Sequence, residues 1–217
     1  RSVGVLIGDV SGHGLEAAAY TSLARDTIKA FALAGRAPGQ ALAEANLVML
    51  QTATGGEAGY RTGGRFLTAF YAILDLDSGS MRYVAAGHPP GIIRRSTGEV
   101  ESLQVTAPVV GVFQTATYED AMTRLDDGDI LILYTDGLTE CRAGREFFGE
   151  ERLLDLMATM GAVPASQLPA RLYEEVNRFS QGDLADDLAI LALSPKADAN
   201  GSAPKATGSS GAGIGAF

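Results

Sequence analysis

The apolar positions of the chain fall into runs whose period changes along the sequence. Residues 3–7 form a short, uninterrupted apolar run that reads as a buried strand, and the glycine-bounded turn of residues 8–14 leads into an alanine-rich helical stretch over residues 15–33. Gly35 and Pro38 end that stretch. A second helical pattern follows over residues 40–52, with Leu42, Ala45, Val48 and Met49 on one side. Residues 54–64 are rich in glycine and are expected to be mobile. From Arg65 the period drops to two: Phe66, Thr68, Phe70, Ala72 and Leu74 alternate with Leu67, Ala69, Tyr71 and Ile73. Both sets are apolar, which predicts a strand covered on both faces.

Turn residues divide the rest. Asp77-Ser78-Gly79-Ser80 reads as a hairpin turn into residues 81–86, and Ser96-Thr97-Gly98-Glu99 as another between residues 92–95 and 100–103, so a strand meander is the simplest arrangement. Residues 117–125 and 130–134 are predicted to pair across the turn Asp126-Asp127-Gly128-Asp129. Helical patterns return over residues 151–160 and 166–179, and residues 188–193 close the series as a last strand. Helices segregated from an antiparallel run of strands predict an α+β sandwich rather than a doubly wound α/β sheet. The folded domain is expected to cover residues 1–194. Residues 195–217 are mostly Ala, Gly, Ser, Pro, Lys and Thr, a composition too poor in apolar surface to offset ordering entropy, and read as a linker or tail.

Composition narrows the function classes. With 217 residues, 46% of them hydrophobic, the chain can bury the core of one large domain or two small ones. Its net charge of −9 argues against a nucleic-acid partner, which would require clustered cations to neutralise phosphates. A single cysteine, Cys141, cannot form an internal disulfide, and a reducing cytoplasm fits best. No apolar run reaches the roughly 18 residues of a membrane helix, so no membrane insertion is expected. The chain opens on Arg1, directly before an apolar run, and reads as a piece of something longer.

Three aspartates stand at the ends of apolar strands: Asp9 after residues 3–7, Asp136 after residues 130–134, and Asp186 before residues 188–193. If the first two strands run toward one sheet edge and the last starts from it, the three carboxylates meet there, and gathered carboxylates repel unless a cation neutralises them. Oxygen-only ligands select hard ions, Mg²⁺ or Mn²⁺ over Zn²⁺. Any one of these aspartates alone would more often be a turn or cap residue. Other chemistries are weaker. Residues 8–14 lack both GxGxxG and the P-loop lysine. Ser11 lies near His13, but GxSxG is absent. His88 reads as a hydrogen-bonded, loop-shaping residue, and Cys141 as a packed or semi-exposed thiol.

Taken in order, Gly8-Asp9-Val10-Ser11-Gly12-His13-Gly14, Ala86-Gly87-His88-Pro89-Pro90, Gly128-Asp129-Ile130, Tyr134-Thr135-Asp136-Gly137-Leu138-Thr139-Glu140, Phe148-Gly149 and Asp186-Asp187-Leu188 resemble the motif series of the SpoIIE/RsbU-type phosphatases of the protein phosphatase 2C (PPM) superfamily. The resemblance covers about residues 3–193. It implies two antiparallel β-sheets packed as a sandwich and flanked by helices, with the family's N-terminal strands missing from this sequence. It also implies a binuclear Mn²⁺ or Mg²⁺ centre in which Asp9 bridges the metals, Val10 offers its backbone carbonyl, and Asp136 and Asp186 complete one site. The role of Asp187 stays open. The implied activity is a metal-dependent bacterial protein serine/threonine phosphatase that uses a metal-activated water. Its substrate would be a phosphorylated regulatory protein, a STAS-domain anti-anti-sigma factor, and an upstream sensor or regulatory domain would control it. The alternative is a non-catalytic binding module of the same fold in a partner-switching pathway, because an upstream acidic motif of the family, which contributes to the second metal, is not in this sequence. Residues 107–112 also depart from the Pro-Leu-Gly turn usual in relatives.

Overall fold

The structure is a computed structural model that describes residues 1–53, 64–184, 187–195 and 215–216. Strand β1 (Ser2–Val10) is followed by helices α1 (Leu15–Leu33) and α2 (Pro38–Ala53), then by strands β2 (Leu67–Asp75), β3 (Ser80–Ala86), β4 (Ile92–Arg94), β5 (Val100–Ser102), β6 (Ala121–Arg124) and β7 (Ile130–Tyr134). A two-stranded ribbon of β8 (Arg142–Ala143) and β9 (Glu146–Phe147) precedes α3 (Gly149–Thr159), α4 (Leu168–Phe179), β10 (Ile190–Leu193) and β11 (Gly215–Ala216). Among the described residues no helix is long and apolar enough to cross a membrane. The glycine-rich segment expected to be mobile falls, at residues 54–63, outside the described residues. So does most of the expected tail, whose described pair Gly215–Ala216 forms β11 against Val5 and Leu6.

The chain divides into two compact units. The first comprises Arg1–His88 and Gln104–Thr123, with the C-terminal pair, and holds a five-stranded sheet in the order β11-β1-β2-β3-β6. β2 is the centre of this sheet and its alternation is apolar on both sides, as expected of a strand covered on both faces. Helix α1 presents Ala17, Tyr20, Ala24 and Ile28, and α2 presents Ala41, Leu42, Ala45 and Met49, spacings of three and four that form single buried stripes. These stripes pack with Leu6, Val10, Ala69 and Tyr71 in one core.

A polar side chain is buried in this unit. Asn46 of α2 is buried; its Oδ1 accepts from the backbone N–H of Gly111 at 2.7 Å, and its Nδ2 donates to the carbonyl of Phe113 at 3.0 Å. The amide thereby satisfies a stretch of irregular backbone that no strand pairs at those positions. Asn46→Ala leaves the buried N–H of Gly111 without its partner and takes one of two donors from the Phe113 carbonyl, which keeps the N–H of Ala116 at 3.3 Å; it is expected to cost about 2 kcal/mol, read as a lower urea midpoint at unchanged slope. A midpoint equal to wild type would show that water replaces the amide.

The second unit comprises Pro89–Leu103 and the described residues from Arg124 to Pro195, and holds a four-stranded sheet in the order β10-β7-β4-β5. β7 is buried at every position. Ile130, Ile132 and Tyr134 of this strand pack with Leu153 and Met157 of α3 and with Leu168, Leu172 and Val176 of α4. The carbonyls at the end of α3 are taken by Arg94, whose Nε donates to Met157 at 3.0 Å and whose guanidinium also reaches Met160 at 2.7 Å.

Two local expectations are corrected. The segments at 117–125 and 130–134 do not pair: β6 lies beside β3 in one sheet, and β7 lies between β4 and β10 in the other. The simple meander likewise breaks after β3, at the Pro89-Pro90 pair, where neither residue has an N–H to continue a ladder. The cause of the first difference is Asp129. Its carboxylate accepts from the N–H of Ser96 at 2.9 Å and from Arg95 at 2.8 Å, which ties the turn before β7 to the β4–β5 hairpin.

Candidate functional site

In the first unit the β1–β2 ladder places Asp9 opposite Thr68 and Val10 opposite Leu67. The ladder is then continued by Ser11, whose N–H donates to the carbonyl of Phe66 and whose Oγ accepts the N–H of Phe66, both at 2.9 Å. Asp9 is therefore the last outward-facing position before the loop and is exposed, whereas the Val10 side chain is anchored in the core. The two strands approach closely beside Asp9 because residue 8 is glycine: a Cβ there would lie 2.5 Å from the carbonyl oxygen of Thr68.

Behind Asp9, Thr68 Oγ1 lies 3.4 Å from the Asp9 carbonyl oxygen and 3.0 Å from Nδ1 of the buried His88. His88 is thus hydrogen-bonded, as read from its motif, with a residue of β2 as its partner. On the far side of the loop Arg65 donates through Nη1 to the Ser11 carbonyl at 2.9 Å. Gly12, at φ 92°, is packed so closely that an added Cβ would stand 2.1 Å from that nitrogen.

In the second unit Thr135 follows the last residue of β7 and straps the chain that leads into β10. Its N–H donates to the Ala189 carbonyl at 3.1 Å, and its hydroxyl accepts from the Ala189 N–H at 2.9 Å and donates to the Asp187 carbonyl at 3.1 Å. Asp136 and the segment beginning at residue 187 are thereby brought side by side. Asp136 is half-buried, and its carboxylate has no hydrogen bond or ion pair among the described residues. Its backbone is well held: the Asp136 carbonyl accepts from the N–H of Glu140 at 2.8 Å and from the Thr139 hydroxyl at 3.3 Å. Cys141 is buried, with its thiol 3.8 Å from the Val176 carbonyl, a packed group.

Asp9 and Val10 thus belong to one unit, Asp136 and Asp187 to the other, and Asp186 lies outside the described residues. Among the described residues no three acidic, histidine or cysteine side chains form a cluster. Among the described residues Asp136 is a half-buried carboxylate with no counter-charge, a group whose chemistry fits a hard divalent cation. Thr68, Arg65 and Thr135 were not singled out in the sequence, because one hydroxyl or guanidinium at a strand end leaves no periodic trace. Only the position of Thr135 inside the Tyr134–Glu140 motif could have drawn attention to it.

Comparison with known proteins identifies the family and the fold. The family model of stage II sporulation protein E (SpoIIE) matches residues 1–196. Phosphoserine phosphatase RsbU of Bacillus subtilis (strain 168) is 27% identical over 197 residues, which cover 90% of this chain and 56% of RsbU. Among solved structures, the RsbU and RsbW domains of Rv1364c from Mycobacterium tuberculosis superpose with a TM-score of 0.73 at 27% identity, over 88% of this chain and 52% of that one. The PP2C phosphatase domain of SpoIIE from Bacillus subtilis, with a fragment of its regulatory domain, gives 0.74 at 22% identity, over 88% and 53%. The chain spans about half the length of each of these three proteins. With the SpoIIE model matched along nearly its whole length and the architecture shared with PP2C domains, the chain belongs to the SpoIIE family and has its PP2C-like α+β fold.

Proposed function

We propose that this chain is the catalytic domain of a metal-dependent protein serine/threonine phosphatase. The observation that carries the reading is a family match along residues 1–196 in which carboxylates stand at or near the ends of strands, one of them, Asp136, half-buried with no counter-charge among the described residues. Asp9, Asp136 and Asp186, with the backbone carbonyl of Val10, would hold Mn²⁺ or Mg²⁺. When bound, such ions acidify a water and neutralise charge on a phosphoryl group. In the hydrolysis, water adds to phosphorus as the bond to the seryl oxygen breaks, and a proton passes to that oxygen. The protein's own part is placement: the Thr68 and Thr135 hydroxyls fix the backbone beside Asp9 and Asp136, so that the carboxylates are set before a ligand arrives.

That RsbU is a phosphoserine phosphatase supports a phosphorylated seryl or threonyl side chain as the substrate class; on the motif resemblance we assign it to a regulatory protein, a STAS-domain anti-anti-sigma factor. A cytoplasmic protein under the control of an attached sensor or regulatory domain fits this role. The test is turnover of a phosphoserine peptide with Mn²⁺. Activity is expected to vanish with chelator and in Asp9→Ala; metal-independent turnover, or full activity of that variant, would sink the proposal. A folded chain that takes up no Mn²⁺ by calorimetry would favour the non-catalytic binding module instead.

A further inference from the structure

Arg65 is more than the loop requires. The loop that follows Asp9 is already pinned to residue 66 by both hydrogen bonds of Ser11. The Arg65 guanidinium nevertheless packs against Gly12 and donates to the Ser11 carbonyl. Its side chain is only 18% exposed, and its Nε is buried with no hydrogen-bond partner among the described residues. A guanidinium has five N–H donors in a rigid fork, and here they are poorly used.

Among the described residues the anion on Arg65 is the Glu16 carboxylate, 3.1 Å from Nη2, and Glu16 is 74% exposed. An exposed carboxylate on a flexible stem is weakly held, and its pairing is easily exchanged. A phosphoryl dianion is the better partner for the same fork, because it carries more charge and accepts two parallel N–H bonds. The position suits it: Gly12 is three residues beyond Asp9, so it lies within about 11 Å of it along the backbone.

We propose that Arg65 recognises the phosphoryl group of the substrate and that Glu16 occupies the guanidinium until substrate displaces it. The proposal deepens the phosphatase reading and rests on it. Substrate phosphate and the Glu16 carboxylate then compete for one cation, which makes Glu16 a built-in weakener of phosphate and product binding.

The probe is inorganic phosphate, titrated into the 217-residue chain without metal and followed by ³¹P NMR line width, alongside KM and kcat for a phosphoserine peptide with Mn²⁺. Arg65→Lys keeps the charge but loses the fork, and is expected to weaken phosphate binding and raise KM roughly tenfold or more, with the Mn²⁺ requirement unchanged. Glu16→Gln is expected to do the opposite, tightening phosphate several-fold. The proposal is overturned if Arg65→Lys leaves both phosphate affinity and KM at wild-type values, if it shifts the Mn²⁺ dependence and not KM, as a loop clamp would, or if Glu16→Gln weakens phosphate. Phosphate binding that depends on Arg65 in a chain with no turnover would support this site while counting against the phosphatase reading itself.

Discussion

Asp136→Asn is expected to lower turnover of a phosphoserine peptide by more than about 100-fold while leaving the metal-free protein at least as stable as wild type. Partners that only orient metal ligands already cost 10–100-fold when removed, so loss of a ligand charge sets a larger effect. The fold should survive because the Asp136 carboxylate has no partner among the described residues, whereas its backbone carbonyl keeps the bonds from Glu140 and Thr139. Replacing a half-buried, uncompensated charge with a neutral amide of the same shape removes a desolvation cost and no hydrogen bond. The measurements are turnover across a Mn²⁺ titration and thermal melting in chelator. Equal turnover at limiting Mn²⁺ would refute the ligand assignment; loss of the folded state would make Asp136 structural instead.

The largest effect on stability is expected at Asp129. Its side chain is 3% exposed, and its oxygens accept from the N–H groups of Ser96 and Asp126 and from Arg95. Arg95 also donates to the carbonyl of Arg124 at 2.7 Å and to the Glu101 carboxylate, so one guanidinium joins the two turns that flank the β4–β7 pair. Burial by itself would push the Asp129 pKa up, but the Arg95 hydrogen bond and the two backbone donors outweigh it and hold the carboxyl below its ordinary range. Asp129→Ala leaves two backbone N–H groups without a partner and takes one of two carboxylates from the Arg95 guanidinium, which keeps Glu101, and is expected to cost about 3 kcal/mol at neutral pH. Because the folded-state pKa is depressed, the contribution is fully present above the unfolded value of about 4 and is lost as pH falls through the folded value. Urea midpoints of wild type and variant should therefore be far apart at pH 7 and draw together below about pH 4. A gap that is absent at pH 7, or one that does not narrow in acid, would remove the carboxylate from this role.

By itself the sequence determined the elements that a single period describes. α1 occupies the residues its alanine-rich pattern covers, and β2 alternates between two buried faces as its side chains do, because helix and strand periodicities are local properties set by where side chains project. It also determined that Asp136 stands just beyond a buried strand, whereas Asp9, expected in the turn after residues 3–7, lies inside β1, one residue before its end. Strand partnership was a different kind of question. Residues 121–124 and 130–134, joined by an Asp-Gly turn, satisfy every local condition for a hairpin, yet they enter different sheets. What separates them acts at a distance: Asp129 binds Arg95, 34 residues earlier, and a strand buried at all five positions gains most where both its edges and both its faces are covered, between β4 and β10. The supporting groups of the candidate site were decided in the same way. Thr68 is defined by His88, Thr135 by Ala189 and Arg65 by Gly12 and Glu16. A hydrogen bond between residues 20 to 54 positions apart leaves no mark in the local pattern of either one, so only the packed chain could reveal these partners.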